Sequence, residues 1–592
     1  MAGGLICDFN AMAGVCDFGP HLASLATGTT VPENSAKLLA ASPLAAVKNV
    51  VTPTLILHGK SDERCPLGQA EAWFAALRQQ HVPTRLVAYP GASHGFLVNG
   101  SISHRIDYST RLIEWVKRYT SAKLPKTGLA NASAGADAWK RSLDVLCERY
   151  GVTGAQFGIL TLDSNGKEIT RTTVASGVIN ADTGVEVSTD SLFQIGSITK
   201  VWTAMLVMQL VDEGLLDLDA TVRSILPDFA LQDEETAARI TVRALLNHRN
   251  GIDGDLFIDK GRGDDVVERY VEGLRDFRQV HPLEDGFAYS NSAYVLAARI
   301  VEVLRGGIWD DILKERIIDP LGLAHTLTLT GDTPRYSVAA GHTGNYVVMP
   351  VWPITRSMGP AGCITASIGD LLTFAELGLL EGQSVDGVRI VSEKSAAAMR
   401  TPEIDISELF PDKSGWGLGW FHETWSGEEI FGHDGSTIGQ HAYLRIFPRH
   451  NVAIALLTSG GKADGLYRDL FTEAAAALVG LEPPQALAPN PASVESIPDS
   501  VLGKYSSGGI AIEFRRGESA DEAVITVIGD VIPNPEEDET APKKPATVAT
   551  LVPSQIPGTW TTRQPGAAGW TTVRPHRDGV YVGFRFLPRV NA

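Results

Sequence analysis

The chain has 592 residues, 44% of them hydrophobic and 20% charged, so it is globular and too long for one ordinary domain. Its formal charge of −18 argues against nucleic acid and anionic membrane as partners, since both need clustered Lys and Arg. The five scattered cysteines have no metal-ligand spacing, the N-terminus lacks the basic and apolar segments of a secretory signal, and no stretch reaches about 20 uninterrupted apolar residues; reduced thiols, no metal or other cofactor, no membrane partner and a cytoplasmic location are expected.

Residues 1–122 alternate strand and helix signals. Thr54-Leu-Ile-Leu-His58 is an apolar run closed by Gly59, Leu67–Gln79 has helical spacing, and Arg85-Leu-Val-Ala-Tyr89 is a second strand. This order predicts a parallel sheet with function at the carboxyl ends of its strands, where Asp62 and His94 fall. Residues 123–137 are small and polar and read as a linker. A helix carrying Trp139, Leu143, Leu146 and Tyr150 follows, then strand signals in 156–162 and 172–176.

Phe193-Gln-Ile-Gly-Ser197-Ile-Thr-Lys200 opens an apolar helical run that Gly214 stops. Ser197 and Lys200 then share one face of the first turn, which suits a hydroxyl nucleophile and an amine that takes its proton, provided the surroundings favour the neutral amine. Residues 240–251 read as a helix ending in a glycine turn. Phe287-Ala-Tyr289-Ser-Asn291 places polar groups at the head of another helix, and 359–367 is a loop leading into the helix Ile368–Leu379. Phe431-Gly-His433-Asp-Gly435-Ser436 precedes the strand-like runs 440–447 and 452–458. Residues 482–498, rich in proline, form a second linker. Residues 499–592 alternate as strands, including 579–586, with an acidic exposed loop at 533–545 and no catalytic constellation.

His58-Gly-Lys-Ser-Asp62 and Tyr89-Pro-Gly-Ala-Ser-His94 resemble the acid and histidine loops of the prolyl-oligopeptidase group of α/β-hydrolases. No Gly-x-Ser-x-Gly elbow precedes Asp62, so the resemblance implies a partial domain in which Asp62 and His94 are a vestigial pair. The open edge of such a sheet must be covered by the next domain or by a second copy in a homo-oligomer.

Ser197-Ile-Thr-Lys200, Tyr289-Ser-Asn291 and His433-Asp-Gly435, in that order, resemble the three motifs of the serine β-lactamase and penicillin-binding-protein fold over residues 138–481. The nearest group holds class C β-lactamases, D-aminopeptidases, D-alanyl-D-alanine carboxypeptidases and esterases. The resemblance implies that Ser197 forms an acyl-enzyme, with Lys200 and Tyr289 sharing proton transfer. Asn291 would hold Lys200 and the substrate amide, and the backbone N–H groups of Ser197 and Ser436 would make the oxyanion hole, beside His433 and Gly435. A histidine at 433, where relatives also carry lysine, is mostly neutral near pH 7 and favours an esterase, amidase, aminopeptidase or acyltransferase over a β-lactamase. Residues 499–592 resemble the lipocalin-like β-barrel appended to many relatives. The expected fold is thus multidomain, α/β followed by α+β and a β-barrel. The expected activity is hydrolysis of a small-molecule or peptide ester or amide. An acyltransferase or peptide cyclase using the same residues, or a non-catalytic assembly protein, are the alternatives.

Overall fold

The computed structural model describes residues 6–16, 19–80, 82–120, 135–254, 256–343, 347–349, 355–410, 412–485, 487–490, 493, 496–508, 510–517, 521–527, 547–562, 570–577 and 579–590. The linker expected at 123–137 and the acidic loop at 533–545 fall almost wholly or wholly outside them. The chain divides into two compact units, Met1–Gly128 and Leu129–Ala592.

In the first unit, the strand–helix alternation starts only at Thr54. The residues before it form the helices Phe9–Val15, Gly19–Thr27 and Val31–Ala41 and a 3-10 turn, Pro43–Asn49. Strands Thr54–Gly59 and Thr84–Tyr89 pair in parallel, joined by the helix Leu67–Gln79 as their spacing predicts. Leu55 and Leu57 of the first strand pack with Tyr89, Phe96 and Tyr108 in a small core.

The second unit is built on an eight-stranded antiparallel sheet. Its order is Glu168–Gly177, Gly154–Leu162, Val452–Ser459, Gln440–Phe447, Glu428–Thr437, Phe421–Trp425, Gly415–Trp416 and Ile404–Asp405. The run 452–457 is apolar throughout because both faces of its strand are covered. Ala453, Ala455 and Leu457 face one core, and Val452, Ile454 and Leu456 face the other, following the two-residue period of a strand. Helices Ala136–Tyr150 and Ala463–Leu478 close the second face, with Trp139 and Phe471 against Phe157. The first face carries the helical layer containing Thr199–Asp212, Asn291–Arg305 and Ile368–Leu379.

Thr199–Asp212 runs through the middle of that layer. Every residue from Thr199 to Leu210 is buried, and Trp202 stacks on Phe374 at 3.8 Å. Gly214, at φ +70°, supplies the left-handed residue after the C-cap, and Leu215 N–H returns to Leu210 C=O.

Among the described residues of 503–588, eight strands form an antiparallel meander, each pairing with the next. Its first and last strands meet at Tyr505 and Arg589. The stretch 579–586, expected as one strand, is instead a hairpin. Strands Gly579–Val582 and Arg585–Pro588 are joined by the two-residue turn Gly583-Phe584, and Gly583 turns the chain at φ +55°.

Candidate active site

Ser197 sits in a 3-10 turn, Gly196–Ile198, that feeds directly into the helix Thr199–Asp212, rather than inside the α-helix itself. Residues i and i+3 eclipse in a 3-10 turn, which brings Lys200 under the serine. Lys200 Nζ, on a fully buried side chain, donates to Ser197 Oγ (3.0 Å) and to the carbonyl of Ala361 (2.6 Å). It also lies 4.8 Å from the ring centre of Tyr289. A hydroxyl, an amine and a phenol ring are therefore grouped within a few ångströms, and proton exchange among them needs no large motion.

Close backbone approach joins the serine turn to the neighbouring strand Glu428–Thr437. A Cβ on Gly196, which has φ +51°, would lie 2.6 Å from the Ser436 nitrogen. One on Gly435 would lie 2.7 Å from the Ile195 carbonyl carbon and 3.0 Å from the Ser197 nitrogen. Only glycine fits at both positions. The contact sets the backbone nitrogens of Ser197 and Ser436 on adjoining strands of chain at the same cleft.

The Tyr289 loop is fixed from two sides. His248, itself at φ +62°, accepts from the Ser290 N–H at Nδ1 (3.0 Å), and its carbonyl accepts from Ala288 N–H (3.0 Å). Its ring lies 4.5 Å from that of Tyr289. The helix expected over 240–251 is consequently only Val242–Leu246, because the chain must leave helical geometry to present His248 to the loop. Ser290 caps the helix Asn291–Arg305, accepting from Ala293 N–H, and Asn291 lines the cleft at its first turn.

His433 is buried, and its Nδ1 is 2.6 Å from the Asp434 carbonyl, so Nδ1 carries the proton and Nε2 a lone pair. Burial, then the positive charge of Lys200, holds its pKa down to about 3. His433 is a neutral group in the cleft at any ordinary pH. Behind it, Arg445 binds both Asp434 (2.6 and 3.1 Å) and the buried Glu423 (2.9 and 3.1 Å), and Glu423 also pairs with Lys413 and accepts from Trp425 Nε1 (2.7 Å).

The cleft has a volume of about 290 Å³ and is lined by Ser197, Tyr289, Asn291, His433 and Ser436, with Trp416 and Phe421 as apolar walls. Two further lining residues, Phe584 and Arg585, come from the C-terminal meander. The sequence pattern of residues 499–592 did not show that this segment reaches the cleft. The signal that could have located them is Gly583, which breaks the run 579–586 into a tip.

In the first unit, His94 Nδ1 lies 3.1 and 3.0 Å from the two oxygens of Asp62, at the ends of the paired strands. Asp62 Oδ1 also accepts from the backbone N–H groups of Arg64 and Cys65. Among the described residues, Asp62, Cys65 and His94 have ligand atoms within 4.8 Å of one another, a spacing compatible with an ion.

Residues 143–478 match the β-lactamase family and residues 15–123 the prolyl oligopeptidase family. Penicillin-binding protein 4 of Amycolatopsis lactamdurans is 40% identical over 379 residues, which is 63% of this chain and 97% of that protein. The uncharacterized peptidase YuxL of Bacillus subtilis is 38% identical over 106 residues, 18% of this chain and 16% of YuxL. The solved structure of SurE with D-Leu superposes at a TM-score of 0.60 and 25% identity, over 77% of this chain and 99% of SurE. With a family match over more than half its length, laid on the Ser197–Lys200 pair, the chain belongs to the β-lactamase family of serine hydrolases and carries a prolyl-oligopeptidase-type segment ahead of that domain.

Proposed function

We propose that this serine hydrolase cleaves an amide or ester through an acyl-enzyme on Ser197. The observation that carries the reading is the 3.0 Å hydrogen bond between Lys200 Nζ and Ser197 Oγ, with Nζ buried beside the Tyr289 ring. Lys200 and Tyr289 accept the serine proton and return one to the leaving group. The N–H groups of Ser197 and Ser436 hold the oxyanion, each worth about 3 kcal/mol in comparable sites. Asn291 orients the substrate amide, Gly435 permits the approach, and neutral His433 offers a lone pair rather than a charge. SurE has been solved with D-Leu, and a free D-amino acid is either the product of amide hydrolysis or the amine that takes an acyl group in transfer. A substrate with a D-residue at the cleaved bond is therefore part of the proposal, and acyl transfer is the second reading.

The domain scheme proposed is 1–122, 138–481 and 499–592 with linkers between, the last being a lipocalin-like barrel; the Tyr505–Arg589 bridge supports closure. Asp62 and His94 act structurally, and a second copy covers the sheet edge of the first unit. The scatter of the five cysteines along the chain, without disulfide or metal-ligand spacing, supports a cytoplasmic location. No helix among the described residues is long and apolar enough to cross a membrane.

The test is labelling with a fluorophosphonate, followed by peptide mapping, together with turnover of p-nitrophenyl acetate by the unsubstituted chain and by Ser197→Ala. The adduct is expected on Ser197, and Ser197→Ala loses both label and turnover. Turnover that survives in Ser197→Ala would refute the assignment and direct attention to the Asp62–His94 pair.

A further inference from the structure

A second cavity, of about 280 Å³, lies between the C-terminal end of the helix Glu393–Arg400 and the strands Phe421–Trp425 and Glu428–Thr437. It is close in volume to the catalytic cleft and shares no lining residue with it. Ala397, Phe431 and Pro448 are its apolar walls, and Arg400, Thr401, His422 and Glu429 its polar ones. His422 stands opposite Phe431 in the register of the two strands, and Glu429 lies two residues before Phe431 on the same face, so imidazole, ring and carboxylate are neighbours. The strand Glu428–Thr437 runs on from this cavity to His433 and Ser436 in the catalytic cleft.

His422 is 1% exposed, yet neither of its ring nitrogens has a partner in hydrogen-bond geometry among the described residues. Nδ1 comes within 3.3 Å of Glu429 Oε1 without the angle of a hydrogen bond. Burial holds the pKa of His422 down, so at pH 7 the ring is neutral and offers one N–H and one lone pair. Buried polar groups are nearly always bonded, so an unbonded imidazole on the wall of a cavity is a place for a ligand's polar group. Arg400 and the half-exposed Glu429 add one charge of each sign. The Arg400 guanidinium carbon lies 5.9 Å from the Phe431 ring centre, and Nη2 donates to Glu381 (2.9 Å), the one hydrogen-bond partner of that side chain among the described residues. The rest of its N–H fork is available to a ligand.

We propose that this cavity binds a free amino acid as its zwitterion, at a site separate from the catalytic cleft. The ligand carboxylate pairs with Arg400, whose planar fork suits it. The ammonium pairs with Glu429 and donates to the lone pair of His422, and an apolar side chain lies against Phe431 and Pro448. A simple anion would be set beside Glu429, and a simple cation beside Arg400; a molecule with both charges meets each wall with its opposite. No bond is made or broken at this site, and the inference stands apart from the acyl-enzyme reading because it concerns binding alone.

Calorimetric titration of the full chain with L-leucine and with D-leucine tests the proposal. At least one enantiomer binds saturably, while isocaproate, which lacks the ammonium, and isoamylamine, which lacks the carboxylate, do not compete with it. Arg400→Gln and Glu429→Gln each weaken binding by about 10-fold or more, the loss of one charge-assisted contact. Arg400 also holds Glu381, so the half-exposed Glu429 gives the variant whose fold is the safer of the two, checked by thermal melt. Asn291→Ala, in the catalytic cleft, leaves the Kd within about threefold of the original. The assignment is overturned if neither enantiomer binds up to about 10 mM, or if a one-charge analogue binds as well as leucine. It is also overturned if Glu429→Gln binds as the original does, or if the loss falls on Asn291→Ala in its place, which would put the amino acid in the catalytic cleft.

Discussion

Replacing Gly435 by alanine should open the oxyanion gap without touching a reacting side chain. The added Cβ would overlap the Ile195 carbonyl oxygen and sit 2.7 Å from its carbon, where ordinary carbon contacts are about 3.5 Å, so the backbones must part by at least roughly 0.8 Å. Ile195 resists, because its N–H donates to Ile364 C=O (2.9 Å) and its carbonyl caps the serine turn at Ile198 N–H (3.3 Å). The strand carrying Ser436 therefore yields, and one donor moves away from the oxygen it should meet. A displacement near 1 Å costs about 100-fold in rate, which is close to the loss of a whole oxyanion donor and equals about 2.7 kcal/mol of barrier. Strain of about 1–3 kcal/mol will appear as a lower Tm. Measured as kcat on p-nitrophenyl acetate per labelled serine, the loss should persist at temperatures where the variant is fully folded. A kcat within fivefold of the original would refute the placement of the hole between these two strands of chain.

The buried ion cluster behind the cleft gives a stability prediction. Glu423→Gln removes the carboxylate that, among the described residues, pairs with both Lys413 and Arg445, and should cost about 3–5 kcal/mol, read by urea unfolding, because both cations stay buried with one partner fewer. Acid should also destabilise the fold through the site. His433 has a folded pKa of about 3 against about 6.5 unfolded, so between these values the unfolded chain binds the extra proton and stability is lost as pH falls. Unfolding free energies at pH 6, 5 and 4 should show a slope shallower by up to about 1.4 kcal/mol per pH unit in His433→Gln than in the unsubstituted chain. Equal slopes would mean that His433 is not held neutral by its surroundings.

The pair proposed as catalytic was legible because it is local. A spacing of three residues at the head of a helix brings Ser197 and Lys200 together whatever the rest of the chain does. Helices Leu67–Gln79 and Ile368–Leu379 and the strand Gln440–Phe447 were readable for the same reason, since each carries its period within one segment. His248 was less so. Its residue belongs to a helical run, yet it adopts φ +62° because two N–H groups of the Tyr289 loop need acceptors there, and that demand comes from a segment distant in sequence. The alternation expected from residue 1 onward also failed before Thr54, where the elements among the described residues are all helical, since apolar spacing in short stretches does not separate helices from strands.

The hairpin at 579–588 marks where pattern reading stops. Val580, Phe584 and Phe586 alternate with other residues across the whole run, so the stretch has the period of one strand. A two-residue turn preserves that alternation on both arms, which leaves Gly583 as the one residue that reports the reversal. What the turn then touches is set by tertiary packing alone: the Phe584 carbonyl meets Tyr289 N–H because the meander docks on the aromatic cluster of Phe287, Phe410 and Trp416. A motif search confined to the β-lactamase-like residues finds Ser197, Tyr289, Asn291 and His433 but not the part of the cleft lining that the meander supplies. The docked meander adds Phe584 and Arg585 to that lining, with the Arg585 guanidinium carbon 4.7 Å from the Tyr289 ring centre. The walls of one cleft are thus carried on parts of the chain that are distant in sequence, and no local pattern joins them.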